Sequence, residues 1–514
     1  MHVGQRVATA CGRQVADVED VRALDQHGPG WPPQVDGIDH HQRVDRVEQL
    51  LHQMDATNSD VENPHAGGHA LLQQSVGDDH AEAVIAPEQV ADPRDQDLHA
   101  GRIRTVVDGL EAIEELEERL ARFPPERYPV QHATAQFHLG VALVNAGRPV
   151  EAERALDIAA GLFAPDRLPA EHAKTTNARG AALRLAGRLE EAAGVFDQAA
   201  GEFQAAGLRL EQGAALFNLG LVQRELGDPD SAVASLQQAG ERLDPRRSPI
   251  EAAAASRELG TTLLGMGQLE QAREALEAAL TLGRRAGDQA GVGTAANLLG
   301  LAELAAGDPT KAADAFRTAV AGHPRSLRPG EFAMAKANLA VAWERAGDHA
   351  RARLAALQAA GIPTAAEPVL AQARGVLERV GERPGALGEV LDREPRDQWP
   401  VALREELARW LDAGPDQRRA EARAWITGQL DRPAVAVDLA EAWLGTLLEL
   451  PGDAMNQVIG ATLEALAELN AATAARFRAD VARAMPRFHL PQWQRLADSF
   501  NRAAAQRGQE PAWG

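Results

Sequence analysis

The stretch at residues 284–308, RRAGDQAGVGTAANLLGLAELAAGD, carries a leucine-glycine pair, Leu299-Gly300, and then a glycine-aspartate pair, Gly307-Asp308. Both pairs recur outward at one interval. Gly307 belongs to a column formed by Gly147, Gly187, Gly227, Gly267, Gly307 and Gly347. An alanine follows five residues later each time, at Ala152, Ala192, Ala232, Ala272, Ala312 and Ala352. Gly300 belongs to a second glycine column, Gly140, Gly180, Gly220 and Gly260, which becomes alanine at Ala340; leucine precedes it everywhere except at Arg179. A further column holds Leu156, Phe196, Leu236, Leu276, Phe316 and Ala356. The interval is 40 residues, so residues 131–360 contain six tandem copies of one unit.

The spacing within a unit is helical. Ala152, Leu156 and Ala159 fall at i, i+4 and i+7, one face of a helix that must be buried. Small residues in the Gly140 and Ala152 columns let two antiparallel helices approach closely, and the large residue between them fills the gap to the next unit. The Gly147 column ends the first helix, because glycine enters the left-handed region without a Cβ penalty. In Asp228-Pro229 and Asp308-Pro309 the aspartate is placed to cap free amides, and proline at the first helical position loses no hydrogen bond. Alanine and leucine dominate the chain, aromatics are only 4%, and no run of β-branched residues alternates, so the expected fold is all-α.

These columns resemble the tetratricopeptide signature, matched by Leu219, Gly220, Ala232, Leu236 and Ala239. The family's usual period is about 34 residues. Here the position three residues after the glycine, where the family has an aromatic, holds Leu143, Leu183, Gln223, Leu263, Glu303 and Trp343, so only the sixth repeat keeps an aromatic there. The longer unit is similar to the repeats of cell-polarity adaptors, kinesin light chains and bacterial regulators. The resemblance implies a right-handed superhelical solenoid whose first helices line a concave groove. The family's groove positions fall on Lys174, Asn177 and Arg184, on Phe217, Asn218 and Arg224, on Arg257 and on Asn297. Cations and amides along one groove suit an acidic peptide or a C-terminal carboxylate, with asparagines bonding the peptide backbone.

The flanks read differently. Residues 1–105 form a His/Asp-rich stretch without helical period; residues 1–100 alone hold nine of the 15 histidines, and six arginines against 18 acidic residues. Such a composition predicts disorder, and its abrupt end raises the expectation that translation begins near Val106 or Val107. A leading helix is expected within 106–130, a transition with one helix, EPVLAQARGVLERVG, within 361–396, and a helical domain over 397–514. That last region has no 40-residue columns and holds six of the eight tryptophans, which are expected to build a core capping the open end of the solenoid.

A formal net charge of −21 argues against a nucleic-acid partner, which needs a basic stripe to displace counterions. Cys11 stands alone, so one chain can form neither an internal disulfide nor a four-thiolate zinc site. No apolar run approaches a membrane span and the start lacks a signal-peptide core, so the expected location is the cytoplasm. His40, His41, His65, His69 and His80 lack a framework for a metal site. Gly291-Val292-Gly293 follows no strand and reads as a repeat boundary rather than a dinucleotide fingerprint. Phosphate loops, paired zinc histidines and nucleophile elbows are missing. No cofactor is expected. The leading expectation is therefore a non-catalytic scaffold or adaptor holding a partner protein or peptide in the groove. The alternatives are a regulatory module sensing a peptide or small effector, and, as a minor reading, an enzyme in the C-terminal helices using residues such as His489 and Trp493.

Overall fold

The computed structural model describes residues 113–381 and 386–513. Helices and turns account for the described residues, and no strand occurs among them. A leading helix at residues 113–122 is followed by six helical hairpins. In chain order these are α1 Pro129–Asn145 with α2 Pro149–Leu162, α3 Pro169–Leu185 with α4 Leu189–Ala205, and α5 Arg209–Glu225 with α6 Pro229–Arg242. Then come α7 Pro249–Gly265 with α8 Leu269–Ala286, α9 Gln289–Ala306 with α10 Pro309–Gly322, and α11 Pro329–Arg345 with α12 His349–Ala360. Each hairpin packs on the next, which is the solenoid the sequence columns imply.

The local signals act as expected. All six glycines of the Gly147 column adopt positive φ, between 70° at Gly147 and 86° at Gly307. Asp228 accepts from the Ser231 amide at 3.2 Å and Asp308 from the Lys311 amide at 3.0 Å, each capping a helix whose first residue is proline. In the other glycine column the backbone forms the seat of the facing side chain: a Cβ on Gly140 would lie 2.5 Å from Leu156 Cγ, and one on Gly300 2.5 Å from the Phe316 ring. The sixth repeat meets the same constraint with Ala340 and Ala356, a smaller pair in the same two columns.

An alternation lies under the 40-residue interval. Helices α2, α6 and α10 have 14 residues each and are followed by a proline-containing connection, whereas α4 has 17 and α8 has 18 and each ends in a tight turn at Gly207 or Gly287. The longer helix takes up the chain that the connection otherwise uses.

The solenoid core continues past α12. Helix α13, Glu367–Val380, sends Val369, Ala373 and Val376 into the cluster that holds Phe316 and Phe332. A second helix, α14 Ala386–Arg393, lies within the stretch where only one was expected. Six more follow: α15 Trp399–Asp412, α16 Pro415–Leu430, α17 Ala436–Glu449, α18 Gly452–Glu468, α19 Ala471–Ala484 and α20 Leu490–Gln506. Here neighbours interleave, so that α16 packs mainly on α18, α17 on α19 and α18 on α20. Trp443 centres the core, 6.4 Å from Trp425 and 6.1 Å from both Phe477 and Phe500, and Trp513 stacks on Phe500.

Helix α12 belongs to both cores. Its Ala352, Ala355 and Ala356 face the solenoid, while Ala350 and Leu354 face the tryptophan-rich helices. Polar contacts add to this joint. Lys336 on α11, almost fully buried, donates to Gln358 Oε1 at 2.8 Å and pairs with Glu405 on α15. Arg351 pairs with Glu394 at 2.8 Å.

Candidate functional site

The first helices of successive hairpins, α1, α3, α5, α7, α9 and α11, touch one another along the inner face of the solenoid. Small residues at their contacts let the backbones approach, which brings groove positions of adjacent repeats within hydrogen-bonding reach. Three of the pairs that form are offset by one repeat plus one residue. Asn218 Nδ2 donates to Asn177 Oδ1 at 3.3 Å, Asn338 Nδ2 donates to Asn297 Oδ1 at 3.0 Å, and Arg184 Nε donates to Glu225 Oε1 at 3.0 Å.

The eight groove positions have different fates. Phe217 is 1% exposed and lies in the core between repeats, so it does not line the groove; its ring is too large for an inner face this closely packed. Arg184 is neutralised by Glu225. Arg224 donates to Glu258 at 2.8 Å, and Arg257 reaches the same carboxylate at 3.3 Å. Burial alone would raise the Glu258 carboxyl, but the two guanidiniums outweigh that effect and hold it below the usual carboxylate range. Three of the four expected cations are therefore already paired. Lys174 is half-buried and has no ion-pair partner among the described residues.

The two asparagine bridges also differ. In the later one Asn338 Oδ1 accepts from Gln372 Nε2 on α13 at 2.9 Å, so the ladder runs from Asn297 through Asn338 into the closing helix. The earlier bridge stops at two residues. Asn177 and Asn218, 2% and 4% exposed, use one acceptor and one donor on each other, and the Asn177 amide nitrogen and the Asn218 carbonyl oxygen have no other partner among the described residues. An unpaired donor beside an unpaired acceptor is the complement of a peptide backbone unit.

Glu225, Glu258, Asn338 and Gln372 were missed by reading the repeat down single columns. The signal lay on diagonals, where i pairs with i+41 for Glu225 and Asn338 and with i+34 for Glu258 and Gln372, but those offsets depend on how far each hairpin rotates against the last.

The other candidates have structural roles or lie elsewhere. Gly291 receives the cap of α9, its amide bonded to Asp288 Oδ1 at 2.8 Å, and Gly293 packs against the His323 ring, so these glycines serve close packing. His489 caps α20 in a reciprocal box with Gln492. The histidines between His40 and His80 and Cys11 lie outside the described residues. Among the described residues no group of His, Cys, Asp and Glu could hold a metal ion, and no helix is long and apolar enough to cross a membrane.

Family models described as tetratricopeptide repeat match residues 214–242, 251–324 and 297–368. Curated proteins yield no match to the chain. Similar solved structures include BtubC (BKLC) of P. vanneervenii, 21% identical over 42% of this chain and 88% of that one, with a TM-score of 0.36. A kinesin light chain-like repeat protein of Podosopora anserina is 18% identical over 37% and 93%, with a TM-score of 0.32. The apo quorum sensor NprR of B. thuringiensis is 12% identical over 73% and 100%, with a TM-score of 0.38.

Proposed function

We propose that this chain, whose central hairpins are tetratricopeptide repeats, is a non-catalytic adaptor that holds an extended segment of a partner protein on the inner face of its second and third repeats. Asn177 and Asn218 bond the backbone of that segment. Lys174 takes an acidic side chain or the C-terminal carboxylate. The observation that carries the reading is the open Asn177–Asn218 bridge beside the one expected groove cation that no carboxylate among the described residues neutralises, in contrast with the later bridge closed by Gln372. A preformed inner surface lowers the ordering cost of binding to that of the peptide alone.

The test uses full-length protein and arrayed peptides offered with free and amidated C termini, read by fluorescence anisotropy. The expected result is saturable binding that Lys174→Glu abolishes and that Asn218→Ala weakens, with circular dichroism unchanged in both variants. Binding that survives both substitutions undiminished would overturn the assignment of the site.

A regulatory reading is favoured by one observation. Helix α12 contributes to the solenoid core and to the tryptophan-rich core at once, so a change in repeat packing reaches the C-terminal helices through a shared element. In that reading the same peptide alters the packing around Trp410 and Trp425, and near-ultraviolet dichroism on peptide addition distinguishes it from simple holding.

A further inference from the structure

A cleft of about 480 Å³ opens between α6, α7 and α8. Its walls are Leu236, Leu259, Leu282 and Ala255, its floor is Ala252, and Glu241 is the one ionisable residue lining it among the described residues. The repeat explains why it exists. Ala252 occupies a column that reads His132, His172, Gln212, Ala252, Val292 and Phe332. Every other member is larger.

At the equivalent place in the second repeat His172 Nδ1 lies 3.1 Å from Glu202 Oε2, and Thr176 donates to the same oxygen at 3.0 Å. Arg179 adds an ion pair with Asp157 at 2.8 Å. In the third repeat Gln212 is buried, accepting from Arg242 Nε at 3.0 Å. In the sixth, Phe332 is buried, with the Lys336 ammonium 5.4 Å from its ring centre. Three of the six units thus place an aromatic ring on this frame. The fourth has the frame without the ring.

We propose that this cleft is a binding site for a small aromatic amine, whose ring takes the place that His172 and Phe332 fill in their own repeats and whose ammonium pairs with Glu241. The volume is within the usual range of ligand pockets, about 300–1,000 Å³, and apolar walls with one charged group at the mouth are the usual composition of such sites. Glu241 is available for the role. Its Oε2 is only 3.4 Å from Arg242 Nη1, a long contact, and its Oε1 has no partner among the described residues. The Ser256 hydroxyl is already bonded to Ala252 O at 3.0 Å, so selectivity falls to shape and to the carboxylate. The site is independent of the peptide reading above.

The experiment is calorimetric titration of the full chain with tryptamine, and with 3-methylindole as the neutral ring. Tryptamine is expected to bind saturably and 3-methylindole more weakly, by about 1.5-fold to fivefold, the range of an exposed charge pair. Ala252→Phe, which supplies the sixth repeat's residue, is expected to abolish binding of both while raising the melting temperature. Ser256→Leu, which supplies the third repeat's residue at the neighbouring column, is expected to do the same and decides the matter if Ala252→Phe does not fold. Glu241→Gln is expected to equalise the two probes. Absence of saturable tryptamine binding, or binding unchanged in a folded cleft-filling variant, would overturn the proposal.

Discussion

The Phe316 ring rests on the backbone of Gly300, so close that a Cβ on Gly300 would approach Phe316 Cε1 to 2.5 Å. The relation repeats at Gly180 under Phe196 and at Gly140, Gly220 and Gly260 under leucines, and it sets the distance between the two helices of each hairpin. Gly300→Ala should therefore push the helices apart and destabilise the array by about 1–3 kcal/mol, the usual cost of overpacking a filled core. Gly194, on the open side of α4, meets nothing within 4 Å, and Gly194→Ala should stabilise by about 0.5–1 kcal/mol through helix propensity alone. Urea unfolding followed by circular dichroism reads both, and shifts of the same sign would contradict the packing account.

His323 occupies a buried position between α9 and α10, where Phe163 and Leu243 stand in their repeats. Burial pushes its pKa below the ordinary histidine value of 6.5, against a smaller opposing pull from Glu331. The unfolded chain then takes up the proton first as pH falls. Stability from this residue is fully present above the ordinary value and is lost as pH drops below it. His323→Phe should remove that part of the acid dependence, visible as a flatter plot of melting temperature against pH between about 7 and 5. An unchanged slope would assign the acid sensitivity to other groups.

Glu258 pairs with two guanidiniums at groove positions, those of Arg224 and Arg257. Glu258→Gln keeps the shape and removes the charge, so both arginines become available to a ligand. Acidic peptides should then bind more tightly to the variant than to the parent, and the gain should shrink in high salt as screening sets in. Weaker binding, or a gain insensitive to salt, would show that Glu258 does not compete with the peptide.

Lys336 joins α11 to Glu405 on α15 and to Gln358 on α12. Lys336→Ala leaves Gln358 and Glu405 without their donor at a nearly dry site, a loss of about 1–3 kcal/mol. Six of the eight tryptophans lie in the C-terminal region, so tryptophan fluorescence mainly follows that region while far-ultraviolet dichroism follows the whole array. The two melting curves should coincide in the parent and separate in the variant. Coincident curves in both would mean that the apolar joint through α12 suffices.

Much of the fold was legible because its causes are local. A glycine at positive φ, an aspartate before a proline, and an apolar residue every third or fourth position act through the chain within one turn of themselves, and six copies of each made the pattern plain. In the C-terminal region α16 starts at Pro415 and α18 starts just after Pro451, so proline marks these helix starts locally too. The second helix of the 361–396 stretch escaped because it has only eight residues, too few for a period to declare itself.

The groove was legible as a set of positions and not as a surface. Sequence by itself determined the hairpin and its interval, and the resemblance to the family supplied the expectation that the first helix faces inward with residues such as Asn177, Asn218 and Asn297 on that side. Only the tertiary structure decided that Arg184, Arg224 and Arg257 are answered by Glu225 and Glu258, that Phe217 belongs to the core, and that Gln372 closes one asparagine bridge and leaves the other open. The reason is geometric. Within a hairpin the helix period dictates which side chains share a face, whereas between hairpins the pairing depends on a rotation and a shift accumulated from every packed contact, and no single residue carries that information.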